Sequence, residues 1–385
     1  MMMQLKTINW ALTVFAVVTL FSCNKTIDLS GPHVETPVIY GLLDRSDSLH
    51  YIKVTRTFAG SNNSLTVAQI ADSSYFDKVE ITMEEWGKVG SADQKIRSWV
   101  LRDTIITGKK AGAFYAPDQK VYYFATNKGV VVEPSLTDAA SMTALKSACT
   151  YRMKVKINDG AIIVEGSTAL VSGVSILSPT TGSNFTFIKQ VNGENQYQTS
   201  GIKVNNGNAQ IINARMEIFI REYFNGNPVD KSFVWNVGEL SNDQIQGANS
   251  NFSVNGKQFY EMIKSNVTND ASITKRELIK LHIYATGGSE DLAKYILMTK
   301  PSTTLAQNKV NVVYGMSRSD DGPLIGIFSS RQTIFQEKLK YNPTFQNQRC
   351  MDKNSFEELC VGQITGSYLF CSDNILDNSE SWYCQ

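Results

Sequence analysis

Apolar and polar side chains alternate with a period of two through much of this chain, the pattern of strands that bury one face. In residues 151–158, Tyr151, Met153, Val155 and Ile157 alternate with Arg152, Lys154, Lys156 and Asn158, giving one apolar and one largely basic face. Residues 215–223 behave likewise, with Met216, Ile218 and Ile220 set against Arg215, Glu217 and Arg221. Similar patterns predict strands at 37–43, 50–58, 79–86, 120–126, 161–165, 278–286 and 324–328. Turn formers separate neighbours: Asp44-Arg45-Ser46-Asp47 between the first two, and Asn158-Asp159-Gly160 between those at 151 and 161, as hairpins require. Helical spacing is rarer. Ser289 as N-cap, Glu290 and Asp291 in the first turn, and Leu292, Tyr295, Ile296 and Thr299 ahead of Pro301 predict one helix. Residues 256–265, with Phe259, Met262 and Ile263 on one face, predict a second, and residues 136–147 a third. The expected fold is mainly β and mostly antiparallel, with two or three short helices.

A chain of 385 residues suggests two domains at ~150 residues each. Turn formers crowd into residues 171–183, where Ser172-Gly173 and Ser178-Pro179-Thr180-Thr181-Gly182-Ser183 interrupt the apolar pattern. They place an expected boundary between an N-terminal β domain at 36–172 and a C-terminal β-rich domain at 173–340. From residue 341 onward strand periodicity is lost and Asn, Gln, Asp and Ser accumulate, so 341–385 reads as a tail stapled by cysteines.

Before the first strand, Lys6 precedes the apolar run Trp10 to Phe21, 12 residues and too short to span a bilayer comfortably. Its end, Leu20-Phe21-Ser22-Cys23, resembles the bacterial lipobox, in which the cysteine is diacylated and becomes the mature N-terminus. Residues 1–22 are thus expected to be a lipoprotein signal peptide, Cys23 the lipidation site, and 23–35 a polar tether. Several acyl chains at ~0.8 kcal/mol per buried methylene would hold the protein on a membrane without spanning it. Asp28 is the one acidic residue soon after the cysteine, which leaves the periplasmic and cell-surface faces both open. Loss of Lys6 with the leader leaves 36 side chains of each charge. No basic excess or basic block is present to neutralise phosphates, which argues against nucleic acid as a partner.

Cys350, Cys360, Cys371 and Cys384 are separated by 9, 10 and 12 residues, too far apart for paired CxxC knuckles, and no histidine is near. An oxidising envelope favours two disulfides among them, in any of three pairings, with Cys149 left as a buried thiol. No metal or cofactor is expected. His33, His50 and His282 are the only histidines, and none sits in a catalytic motif. Glu84 and Glu85 are adjacent on a strand and point to opposite faces, so they cannot jointly flank a glycosidic bond. Asp320-Asp321-Gly322 would have Ser317 and Ser319 as the preceding oxygen ligands of a calcium loop and Phe328 where its bidentate Glu belongs, so it reads as a turn. Tyr122, Tyr123, Phe124 and Trp235 could line a sugar or peptide platform, although core packing accounts for most aromatics.

Several of these stretches are similar to an uncharacterised family of Bacteroidota outer-membrane lipoproteins, often encoded beside TonB-dependent receptors. The matching pieces are Pro37-Val38-Ile39-Tyr40-Gly41-Leu42-Leu43 with Thr55-Arg56-Thr57, Thr150 to Val155, and the strand through Leu281 and Tyr284. They continue through the Tyr295 helix to Gly315 and Leu324-Ile325-Gly326-Ile327-Phe328, scattered over most of the mature chain in the family's order. The resemblance implies an immunoglobulin-like N-terminal sandwich, a β-rich C-terminal domain and no established activity, while the sequence after Arg331 departs from it. The expected function is a non-catalytic envelope lipoprotein that serves an outer-membrane receptor. A stand-alone binder of a glycan or small ligand is the alternative. A hydrolase would need a pocket in which His282 meets a carboxylate or hydroxyl.

Overall fold

The computed structural model describes residues 35–57, 64–112, 114–126, 144–241, 244–300, 312–341 and 349–384. The signal peptide, Cys23, all of the tether but its last residue, and most of the helix expected at 136–147 lie outside the described residues. In chain order the strands of the first half are β1 (Pro37–Asp44), β2 (Leu49–Arg56), β3 (Val79–Val89), β4 (Ala92–Val100), β5 (Arg102–Ile106), β6 (Gln119–Ala125), β7 (Thr150–Ile157) and β8 (Ile162–Ala169), with helix α1 (Ser64–Ala68) after β2. The second half contains β9 (Val174–Ser178), β10 (Ile188–Val191), β11 (Glu194–Tyr197), β12 (Thr199–Asn206), β13 (Ile211–Phe224), β14 (Asn227–Ser241), β15 (Asn249–Asn255), β16 (Ile273–Gly288), β17 (Val313–Tyr314), β18 (Met316–Arg318) and β19 (Ile325–Leu339). Its helices are α2 (Gly256–Asn266), α3 (Glu290–Thr299) and α4 (Lys353–Val361). The chain is mainly β, and among the described residues the pairings between these strands are antiparallel except where β19 meets β1 and β17.

Every strand expected from alternation is present, and both expected hairpins form. Ser289 caps α3 by accepting a hydrogen bond from the Leu292 amide. The missed strands include β4 and β14, whose residues are largely exposed and so carry no clean apolar face. They are the outer strands of their sheets, where sequence alternation is weakest.

A nine-stranded sheet runs β14-β13-β16-β19-β1-β2-β6-β5, with β17 beside β19. One of its halves faces the five-stranded sheet β18-β8-β7-β3-β4 across a core of Ile39, Leu43, Ile52 and Val54 against Ile81, Met83, Tyr151, Val155 and Val164. The other half faces β15-β12-β9 and α2 across a second core that includes Met216, Ile218, Ile283, Val204, Phe252 and Phe259. The two cores part between Leu170 and Val171, yet one hydrogen-bonded ladder passes through both. At the seam, Val38 pairs with Ile325 and Asp44 with Arg331. Inward-facing polar groups of β19 fasten the crossing segment: Ser330 Oγ donates to the Ala169 carbonyl at 2.6 Å and accepts from the Val171 amide at 3.0 Å. Gln332 Oε1 accepts from the Val174 amide at 3.0 Å. Asp44, buried in its hairpin turn, accepts from the Ser46 and Thr333 amides.

The segment from 341 onward corrects the expectation of an appended tail. Cys350, Met351, Phe356, Leu359, Cys360, Phe370 and Trp382 belong to the second core. Arg276, fully buried, holds this segment by donating to the Tyr368 carbonyl, while its other terminal nitrogen donates to the Thr268 carbonyl and its Nε pairs with Glu222 at 2.8 Å. Two disulfides were expected and one forms, between Cys371 and Cys384, with Cα atoms 5.0 Å apart. A parallel bridge between Ser372 and Tyr383 holds together the two short segments that carry those cysteines, whereas Cys350 and Cys360 are used as small apolar core residues.

Gly326 has φ +122°, and a Cβ there would lie 1.9 Å from the Ile39 carbonyl oxygen. Gly326→Ala should therefore lower the unfolding free energy by more than about 3 kcal/mol, read from urea midpoints, whereas Gly201→Ala, with open space around it, should cost under about 1 kcal/mol. A second expectation concerns His50, buried on the inner face of β2 with Nε2 2.9 Å from Thr126 Oγ1 and its ring 4.7 Å from that of Phe124. Burial lowers its pKa from 6.5 to about 4. Between those values the unfolded chain binds more protons than the folded one, so stability falls as pH drops through 6.5 toward 4. The loss approaches about 3 kcal/mol, and denaturant midpoints at pH 7 and 5 should show a steeper fall for the wild type than for His50→Gln.

Candidate functional site

Because β1 alternates, Ile39 and Leu43 enter the core while Val38, Tyr40 and Leu42 face outward. The register sets Tyr40 beside Lys53 and Val38 beside Thr55, and β6 adds Tyr123 beside Tyr51. Tyr40 and Tyr51 are 37% and 39% exposed, which is high for side chains near the middle of a nine-stranded sheet. Two walls rise from this face. One is α3, whose Ser289 cap also hydrogen-bonds Ser329 on β19, and whose Leu292, Tyr295 and Ile296 lean toward Tyr40. Gly288 leaves room for Leu292, since a Cβ there would lie 2.9 Å from its Cδ2. The other wall is the connection between β5 and β6. It is folded back by hydrogen bonds from the Lys109 amide to Pro117 O, the Tyr115 amide to Ala68 O, and Gln69 Nε2 to Gly112 O.

A cavity lies on either side of Tyr40. The first, 410 Å³, is lined by Tyr40, Leu49, Tyr51, Tyr295 and Ile296 over Ile327, with Asp47 and Arg331 at its polar end. Tyr295 Oη donates to Tyr40 Oη at 3.3 Å, and burial together with that contact raises the Tyr295 pKa. The two rings meet edge to face at 6.3 Å, an arrangement that holds Tyr40 upright between the cavities. The second, 470 Å³, is lined by Val38, Tyr40, Tyr75, Phe114 and Tyr115 together with Lys53, Arg56 and Lys109. Burial, and then the nearby charge of Lys109, lowers the pKa of Lys53. The arrangement offers aromatic faces and cations to a bound group.

The residues singled out by sequence are mostly elsewhere. Tyr122 and Phe124 are buried in the first core, and only Tyr123 of that trio joins the outward face. Trp235 packs on the second core, and Trp86 is covered by the Arg152 guanidinium at 4.1 Å. Glu84 and Glu85 do diverge: Glu84 bonds Trp86 Nε1 at the surface, while Glu85 is buried, accepting from Tyr151 Oη at 2.7 Å and from Arg97. Asp320 is a turn residue clasped by Arg318. His282 meets both a carboxylate and a hydroxyl, with Nε2 2.8 Å from Glu337 and Nδ1 3.2 Å from Tyr284. These contacts occur on the outward face of the sheet, with Phe219 and Phe335 packed around the imidazole, and both ring nitrogens are engaged. Among the described residues no group of three His, Cys, Asp or Glu side chains is placed to hold a metal ion, and no helix is long and apolar enough to cross a membrane.

Alternation makes Tyr40 an outward strand residue but does not mark it as part of a site. A large amphipathic ring on the outward side of a strand was the signal available, but the walls that make it a site come from residues 109–115 and 292–296, remote in sequence. Of the cysteines, Cys149, Cys350 and Cys360 are buried thiols, and burial pushes the last two up to about 12. Alkylation of the native protein should spare all three, while alkylation in denaturant without reductant should label them and leave Cys371 and Cys384 unmodified. Peptide mass spectrometry reads the result, and labelled Cys371 would refute the bridge. No protein-family model matches the chain, and no curated protein matches it.

Proposed function

We propose that this chain is a non-catalytic lipoprotein of the outer-membrane envelope, anchored through acylated Cys23, that docks on a TonB-dependent receptor or captures its cargo. We read the first core, between its two facing sheets, as an immunoglobulin-like sandwich presenting the binding face. The observation that carries this reading is the outward face of β1 and β2, where exposed Tyr40 and Tyr51 stand between two walls and two cavities open side by side. Aromatic side chains with one apolar face and one polar tip are favoured where partners are bound, because they contribute large contact area with few torsions to fix. A non-catalytic role is supported by the setting of His282, which meets Glu337 and Tyr284 between packed Phe219 and Phe335 and lines neither cavity beside Tyr40. The alternative of a small-ligand or glycan binder is favoured by one specific feature, the 470 Å³ cavity that combines aromatic walls with cations.

Crosslinking in intact cells, with and without external protease, tests the reading and reports sidedness and neighbours together. The expected outcome is a crosslinked outer-membrane receptor whose yield falls at least ~10-fold in a Tyr40→Ala, Tyr51→Ala double variant that keeps the wild-type thermal midpoint. Mass spectrometry should find Cys23 acylated at the mature N-terminus. An unmodified Cys23 thiol, or a crosslinking pattern indifferent to both tyrosines, would overturn it.

A further inference from the structure

We infer that the cavity between β1, β2 and the β5–β6 connection is a binding site for a small organic carboxylate joined to a flat ring. This deepens the binding reading and rests on it. Three cations line the cavity: Lys53, Arg56 and Lys109. Arg56 has its carboxylate, Glu35, at 2.5 Å, and is further held by the Ser73 and Asp72 carbonyls. The two lysines differ. Lys53 Nζ donates to the neutral amide oxygen of Gln119 at 2.9 Å, and Lys109 Nζ to the backbone carbonyl of Tyr115 at 2.7 Å. No Asp or Glu is among the described residues that line it.

An ammonium has three donors, so each lysine has capacity left after these bonds. Two like charges held in one partly buried space repel, and a carboxylate between them would add two attractions that outweigh that repulsion. The rest of the lining fixes the remainder of the ligand. Tyr40, Tyr75, Phe114 and Tyr115 supply ring faces and edges, suited to the apolar face of a sugar or to an aromatic ring. Tyr75 is held in place by its Oη, which accepts from the Lys120 amide at 3.1 Å. Lys109 also lies 5.6 Å from the Phe114 ring, so its charge and the aromatic wall come from one loop. The volume suits one or two rings, not an extended polymer.

Two matched pairs test this by calorimetric titration of the full mature chain. In each pair only the carboxylate is removed: 4-nitrophenyl β-D-glucuronide against 4-nitrophenyl β-D-glucoside, and N-acetyltyrosine against N-acetyltyrosinamide. The acid of at least one pair should bind ~10-fold or more tightly than its neutral partner, and added salt should shrink that preference. The pair that discriminates tells a sugar acid from a peptide C-terminus. Lys53→Met and Lys109→Met should each bring the ratio close to one without moving the thermal midpoint. Should Lys53→Met fail to fold, Lys109→Met, on the more exposed loop, carries the test alone. Equal affinity within both pairs, no binding of any probe up to about 5 mM, or a ratio unchanged in Lys109→Met would overturn the inference. A receptor crosslink at Tyr40 alongside such a failure would leave the envelope-scaffold reading standing and remove only the carboxylate site.

Discussion

The parallel pairing of β1 with β19 is the contact on which the rest of the architecture depends. It joins residues more than 280 positions apart, with Val38 opposite Ile325, and converts two sheet halves into one nine-stranded ladder. Closing so long a loop costs chain entropy that local turns do not, and the close packing at the seam offsets it. That packing demands small residues. Gly326 lets the β19 backbone approach Ile39, Gly41 leaves space for Ile52 and Phe328, and Gly315 lies against the Phe328 carbonyl. Ser330 and Gln332 then satisfy the backbone of the segment that crosses from the first core to the second. A buried junction without such partners would leave unpaired amides at a cost of several kcal/mol.

Each core also encloses a charged group held by named partners. Glu85 with Arg97 and Tyr151 lies inside the first, and Glu222 with Arg276 inside the second. Buried ion pairs are poor sources of net stability because desolvation offsets their attraction, but a broken pair is costly. Their effect is to penalise wrong arrangements. Arg276 reaches the carbonyl of Tyr368 only if the C-terminal segment is docked. Lys338, facing inward on β19, similarly donates to the Thr180 and Ser183 carbonyls, and burial lowers its pKa to about 8. That lysine ties the loop following β9 to the shared strand.

The outward face of the large sheet is divided by α3, which rests on Ile327 and Ser329. On one side lie Tyr40, Tyr51 and the two cavities. On the other, Arg215 stacks over Tyr284 while His282, Glu337 and Phe335 tile the surface. The contrast is chemical as well as spatial: the second surface satisfies its charges internally, whereas the first keeps cations whose described partners are neutral. That difference is why the proposed binding site is the Tyr40 face and not the histidine.

Alternation in the sequence was enough to determine the strands with one clearly buried face, their hairpins, and the capped helix after Ser289, because each is fixed by neighbours a few residues away. It was not enough for β14 or β4, exposed edge strands with little apolar contrast, nor for α4 and the burial of Cys350 and Cys360, whose apolar partners are remote. The turn formers near residue 171 coincide with the point where the two cores part, but they do not split the chain in two there, because Phe328, Met316 and Leu324 return to the first core, and the pairing of β1 with β19 that brings them back leaves no trace in local periodicity. The proposed binding face shows the same limit. Sequence made Tyr40 and Lys53 outward residues of adjacent strands. Only the folded chain brought Tyr295, Lys109 and Phe114 around them, because those contacts depend on where a helix and a loop, distant along the chain, come to rest on the shared sheet.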